Sequence, residues 1–154
     1  MSLGAAKTAF WAYAALVGLS LSGIFFVYTA TSIARTFFIT GATFLAMSLF
    51  GYTTRADLAR TASFLLMGLV GILIASIVNL FLASSIVQLA ISVVGVIVFV
   101  GLTAYDTQRI KEIYLNSDSP AIAGKKAIMG ALALYLDFLN LFILLMQLTG
   151  NRRN

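Results

Sequence analysis

The sequence predicts an all-α fold: a polytopic transmembrane helical bundle of about five membrane-spanning helices, forming one domain over residues 1–154. Three observations predict it. Hydrophobic residues make up 61% of the chain and charged residues 10%, where a soluble globule is closer to about 45–50% apolar and about 25% charged. Five apolar stretches approach the roughly 20 residues that carry a helix across hydrocarbon. These stretches also lack the alternate-residue pattern of a transmembrane barrel, and an open sheet would leave backbone groups unpaired in lipid.

The first stretch, 9–30, is too long for a signal-peptide core of about 7–15 residues and has no clear cleavage site, so it is read as a retained span. The second covers 33–51. A short polar connection follows, carrying Arg55, Asp57 and Arg60. The third covers 61–82 and turns tightly at 83–85 into the fourth, 85–110. The longest loop, 109–126, holds Pro120, the single proline of the chain. The fifth span covers 127–148. No linker rich in Pro, Gly or Ser divides the chain.

The net charge of +5 does not make a nucleic-acid patch, because the basic residues sit at the ends of apolar runs, as orienting and snorkelling charges do. With five alternating helices, Lys7, Arg55, Arg60, Arg109, Lys111, Lys125 and Lys126 gather on one face. Arg35, Arg152 and Arg153 gather on the other. The positive-inside rule then places the N-terminus and the 109–126 loop in the cytoplasm. Small residues spaced by four, Gly18 with Ser22 and Gly71 with Ala75, suggest close helix approach. Tyr13, Tyr28, Tyr52, Tyr105 and Tyr114 fall near span ends, as an interfacial belt would. Tyr135 lies deeper, where its hydroxyl could serve an internal acceptor or simply pack.

There are no cysteines and no histidines. That removes disulfides, Cys nucleophiles, His general bases and the usual zinc ligands. Any response to pH near neutrality therefore falls to perturbed carboxyl groups, or less readily to Lys or Tyr.

On the fourth stretch Gln88, Ser92, Gly95, Phe99, Thr103 and Asp106 recur every three or four residues and form one stripe of a helix. On the fifth, Asp137, Asn140 and Gln147 lie within about one quadrant. Two polar stripes on consecutive helices are expected to face each other. Asp137 stands near the middle of an apolar span, where an ionised carboxylate costs at least about 2.5–3.5 kcal/mol on insertion scales. Such a residue faces protein or a water path and takes a partner, and Asp106 is the candidate. Two carboxylates meeting in a low-dielectric site cannot both ionise cheaply.

Three readings of these acids compete. They share a proton and act as a gate, they are polar glue between helices, or they stand apart with Asp106 reaching to the interface. A dedicated calcium cage needs six to eight oxygens, more than two Asp and Asn140 supply, so no resident metal or cofactor is expected and only transient Ca²⁺ or H⁺. Phosphate-loop, metalloprotease and serine-hydrolase motifs are absent. The paired-aspartate pattern of intramembrane proteases is matched at Tyr105-Asp106, but Leu134-Tyr135-Leu136-Asp137 departs from the Gly-x-Gly-Asp half. The chain is therefore read as no enzyme.

Gly101-Leu102-Thr103-Ala104-Tyr105-Asp106-Thr107-Gln108-Arg109-Ile110-Lys111 resembles the signature helix end of the Bax inhibitor-1 family. Ala131-Leu132-Ala133-Leu134-Tyr135-Leu136-Asp137-Phe138-Leu139-Asn140-Leu141-Phe142 is similar to that family's last helix. Met47-Ser48-Leu49-Phe50-Gly51-Tyr52-Thr53 resembles its middle span and loop, so the resemblance covers nearly the whole chain. It implies the C-terminal part of a seven-helix fold, a pH-sensitive calcium leak, regulation of cell death, and Asp106 with Asp137 as the pH-sensing pair. It also implies, for bacterial members, a link to a membrane protease. The family's first two helices, and a basic residue on the second that can pair with the acids, have no counterpart here. The natural chain is expected to be longer, and an in-frame stop directly before the Met1 codon would contradict that.

The sequence thus points to a cation leak gated by Asp106 and Asp137 and supported by Thr103, Asn140 and Tyr135. The alternatives are a non-conducting regulator that binds a membrane-protein complex, and a proton-coupled transporter. The expected partners are the lipid bilayer, a membrane protein and further copies of the chain, with no nucleic acid. The compact loops and the lack of an Asn-x-Ser/Thr acceptor favour a bacterial inner membrane.

Overall fold

The computed structural model describes residues 2–113 and 119–150. Its elements are all helical: α1 Leu3–Leu21, α2 Ile24–Val27, α3 Ala30–Thr53, α4 Ala59–Leu82, α5 Ser85–Ile113 and α6 Pro120–Thr149. Among the described residues five spans, with α1 and α2 counted as one, are long and apolar enough to cross a membrane. The chain is a multi-pass membrane protein of the all-α class.

Capping side chains explain where the helices differ from the apolar runs. Ser2 accepts the Ala5 N–H at 3.1 Å, so α1 starts well before the apolar stretch. The first span breaks at Ser22 and Gly23, where the Ser22 hydroxyl donates to the Leu19 carbonyl at 2.6 Å. Thr29 then caps α3 by accepting from the Ser32 N–H at 3.2 Å, three residues earlier than the apolar pattern suggests. The last helix also starts early. Ser119 caps it and Pro120 occupies its first turn, where a missing N–H costs nothing and the fixed φ suits a helix. Pro120 therefore opens α6 instead of lying in the loop.

Helix α5 is the hub, packing on α3, α4 and α6, while α6 also touches α3 and α1. Leu65, Val98, Phe99, Leu102, Leu141 and Leu144 form the main buried cluster. Tyr28, Ile33, Phe142 and Met146 form a second. Tyr28 is thus a core residue and not part of an interfacial belt, and Tyr114 lies outside the described residues, as do Arg152 and Arg153. Large apolar side chains such as Phe26 and Phe81 project outward, as expected of surfaces that meet lipid tails.

The close approaches fall elsewhere than the Gly18 and Gly71 spacings suggested. A Cβ at either of those glycines would meet open space. The tight contacts are at Gly51, where a Cβ would overlap the Ala104 backbone carbonyl, and at Gly95, where it would come within 2.7 Å of the Leu144 side chain. Helices α3, α5 and α6 are drawn together at these points.

Candidate functional site

Several polar side chains on α5 are satisfied by their own helix. The Thr103 hydroxyl donates to the Phe99 carbonyl at 2.7 Å, and Ser92 donates to the Gln88 carbonyl at 3.0 Å. Both residues are fully buried. This back-bonding lets the Thr103 hydroxyl sit in an apolar seam without a partner on another helix. Thr103 is accordingly part of the packing under the acids, and its proton is already committed.

Asp106, one turn from the end of the apolar part of α5, and Asp137 on α6 line the same cavity. Asp137 is 5% exposed, and its Oδ2 has no protein partner. A buried acceptor of this kind costs on the order of 1–3 kcal/mol unless something satisfies it.

The pair lines a cavity of about 690 Å³ between α4, α5 and α6. Asn140, one turn beyond Asp137, lines it too, with its Nδ2 donating to the Leu136 carbonyl at 2.8 Å. Leu66 and Leu69 of α4 make an apolar wall, and Arg109 borders the cavity on the α5 side. Tyr135 faces the other way, its ring set edge-on to Phe10 of α1 at 6.1 Å. The structure brings Asp106, Asp137 and Asn140 into one cavity and leaves Thr103 and Tyr135 in the packing around it.

Two features near the acids carry little signal in the sequence. Gln108 clamps the α3–α4 loop through both ends of its amide: Oε1 accepts the Leu58 N–H at 3.0 Å and Nε2 donates to the Ala56 carbonyl at 2.8 Å. Lys111 donates to the Tyr52 carbonyl at 2.8 Å, its Nζ 5.1 Å from the centre of the Tyr52 ring. A single Gln in a polar helix end has no pattern that announces such a clamp. Together with the Gly51–Ala104 contact, these bonds fix the C-terminal end of α5 to α3.

Among the described residues no cluster of three or more His, Cys, Asp or Glu comes together as a metal site would require. The cavity brings two carboxyl groups and one side-chain amide to its wall.

The family model of the inhibitor of apoptosis-promoting Bax1 matches residues 1–154. The chain belongs to the Bax inhibitor-1 family. It is 53% identical over 154 residues to an uncharacterised protein of Rickettsia prowazekii, covering 100% of this chain and 65% of that one. It is 51% identical to the inner membrane protein YbhL of Escherichia coli, covering 99% of this chain and 66% of YbhL. An uncharacterised membrane protein of Streptococcus pyogenes is 39% identical, with 95% of this chain and 63% of that protein aligned. The chain therefore spans just under two thirds of the length of the first two relatives.

Proposed function

We propose that this Bax inhibitor-1 family chain belongs to a proton-controlled leak for Ca²⁺ or similar cations in a bacterial inner membrane, with Asp106 and Asp137 as its gate. The observation that supports the reading is that Asp106, Asp137 and Asn140 line one cavity, with Asp137 buried and its Oδ2 without a protein partner. The inner membrane location is supported by the likeness to YbhL.

The mechanism follows from charge. One proton shared by the pair makes a hydrogen bond that ties α6 to α5. Removing it leaves two like charges, which repel by about 4 kcal/mol at 4 Å with an effective dielectric of about 20. A bias of that size moves a two-state equilibrium by about three powers of ten. The repulsion acts across the α5–α6 seam, and Asn140 moves with α6. Acid closes the path and base opens it. The exposed carboxyl groups then attract a cation, which neutral amide oxygen assists. No bond is made or broken in a substrate, so the chain works without enzymatic turnover.

The test is Ca²⁺ flux into proteoliposomes from about pH 6 to about pH 8, the range in which a switch near neutrality must act. The protein should leak more as pH rises. Asp106→Asn and Asp137→Asn should each flatten that dependence, and the double variant should behave like either single one, because the pair acts as one unit. A folded protein that passes no cation at any pH contradicts the leak and favours a regulator that binds another membrane complex.

A further inference from the structure

The cavity that holds the acids ends, away from them, at a pair of amides. Gln88 of α5 donates from Nε2 to Oε1 of Gln147 on α6 at 2.7 Å, and the Ser92 hydroxyl stands 3.4 Å from the same oxygen. Gln88 Oε1 in turn accepts from Asn79 Nδ2 of α4 at 3.5 Å. Asn79 Oδ1 accepts the Ser84 N–H at 3.0 Å, at the turn where Ala83 takes a left-handed conformation with φ of 50°. Three helices thus meet through one chain of amide groups.

Beyond the amides lies a second cavity, of about 630 Å³, at the α4–α5 turn. Gln88 and Gln147 line both cavities. They stand where the two adjoin, at the open side of the bundle. On α6, Gln147 stands about 15 Å past Asp137 at the rise of a helix. The main-chain and side-chain groups around the second cavity are neutral: Asn79, Ser84, Ser85 and the two Gln supply its polar atoms, and none of its lining residues titrates.

We propose that the Gln88–Gln147 amide pair is a second closure on the cation path, uncharged and in series with the acid pair. The proposal rests on the leak reading above, since it supplies the far end of the same path. A paired amide suits this place. The bond joins α5 and α6 at their open end, with Gln147 exposed in the last turn of α6. At 2.7 Å the bond has good geometry, yet breaking one neutral hydrogen bond is a small step compared with separating an ion pair. The acids answer to protons, and the amides answer to whatever moves α6 against α4 and α5.

The chain contains no cysteine, so a single one can report on the closure. Ser76 of α4 lines the acid cavity and not the second one. With Ser76→Cys as the reporter in membrane vesicles, a membrane-impermeant thiol reagent is added on the face that bears the α4–α5 turn, and separately on the opposite face. Gln147→Ala should speed labelling from the turn face roughly tenfold, the scale of one lost hydrogen bond, and leave labelling from the opposite face unchanged. Gln88→Ala should do the same, which guards against a single variant that folds badly. An unchanged rate from the turn face in both variants, or an equal rise on both faces, overturns the proposal. Labelling requires no ion flow, so a protein that leaks nothing would refute the leak while the closure would still be seen or not on its own terms.

Discussion

Helices α4 and α5 are almost equally apolar, but the bundle uses them in opposite ways. In its most apolar stretch 39% of α5 is buried, whereas Leu65 is the single buried residue of α4. Helix α4 carries Leu, Ile, Val and Phe on nearly all sides, and Phe81 is 87% exposed. Helix α5 carries a stripe of small and polar residues, from Gln88 through Gly95 to Asp106, and that stripe meets α6. Hydropathy places a helix in the membrane. Within it, where lipid tails are as apolar as Leu, small residues and buried polar groups decide which helix becomes the centre. Asp137 of α6 lies against the hub because a carboxyl group at that depth is tolerable only where protein surrounds it.

The largest expected effect tests the hub directly. Gly51→Ala places a Cβ into the Ala104 backbone carbonyl, an overlap that no side-chain rotation relieves. It should destabilise the protein by about 3 kcal/mol or more, above the usual cost of overpacking, and lower the thermal midpoint in detergent. Gly71→Ala on α4, where a Cβ meets open space, should instead be neutral or stabilising by up to about 1 kcal/mol through helix propensity. Equal effects at the two glycines would break the contrast between the helices.

Next in size is the seam between α5 and α6. Leu141 is fully buried, and Leu141→Ala should cost about 2 kcal/mol through a packing defect. Phe81→Ala, on the outer surface of α4, should fall within about 0.5 kcal/mol of zero. Reversible unfolding in mixed micelles would measure both.

A smaller effect sharpens the account of what holds α5 still. Gln108→Leu removes both amide bonds to the α3–α4 loop and should cost about 1–2 kcal/mol. The Leu58 amide should then exchange with solvent much faster than before. If it keeps its protection, the loop is held by something other than Gln108, and α5 is less firmly tied to α3 than the geometry indicates.

Much of this architecture is legible in the residues. The five spans follow from the length of the apolar runs, and the facing stripes of α5 and α6 follow from the spacing of Gln88, Ser92, Asp106, Asp137, Asn140 and Gln147. Helix ends are less legible, because Ser2 and Ser119 extend α1 and α6 through single capping bonds outside the apolar run. The small-residue spacings at Gly18 and Gly71 mislead because close approach needs a neighbouring helix on that side, and spacing within one helix cannot supply it. Gly51 has no such pattern in its own helix, yet it makes the tightest contact. That Gln88 bonds to Gln147, and that Tyr135 turns to Phe10 and away from the acids, depend on the rotation of α6 about its own axis, which is fixed only by packing.

The proposed leak requires that Asp106 and Asp137 hold one proton between them. Infrared difference spectroscopy of the membrane-embedded protein, stepped across the neutral range, tests it most directly. The account predicts one protonated-carboxyl stretch that fades as the pH rises, over the interval in which the cation leak grows, and that is lost or displaced in Asp106→Asn and in Asp137→Asn alike. Two independent bands, each abolished only by its own substitution and unaffected by the other, would contradict it.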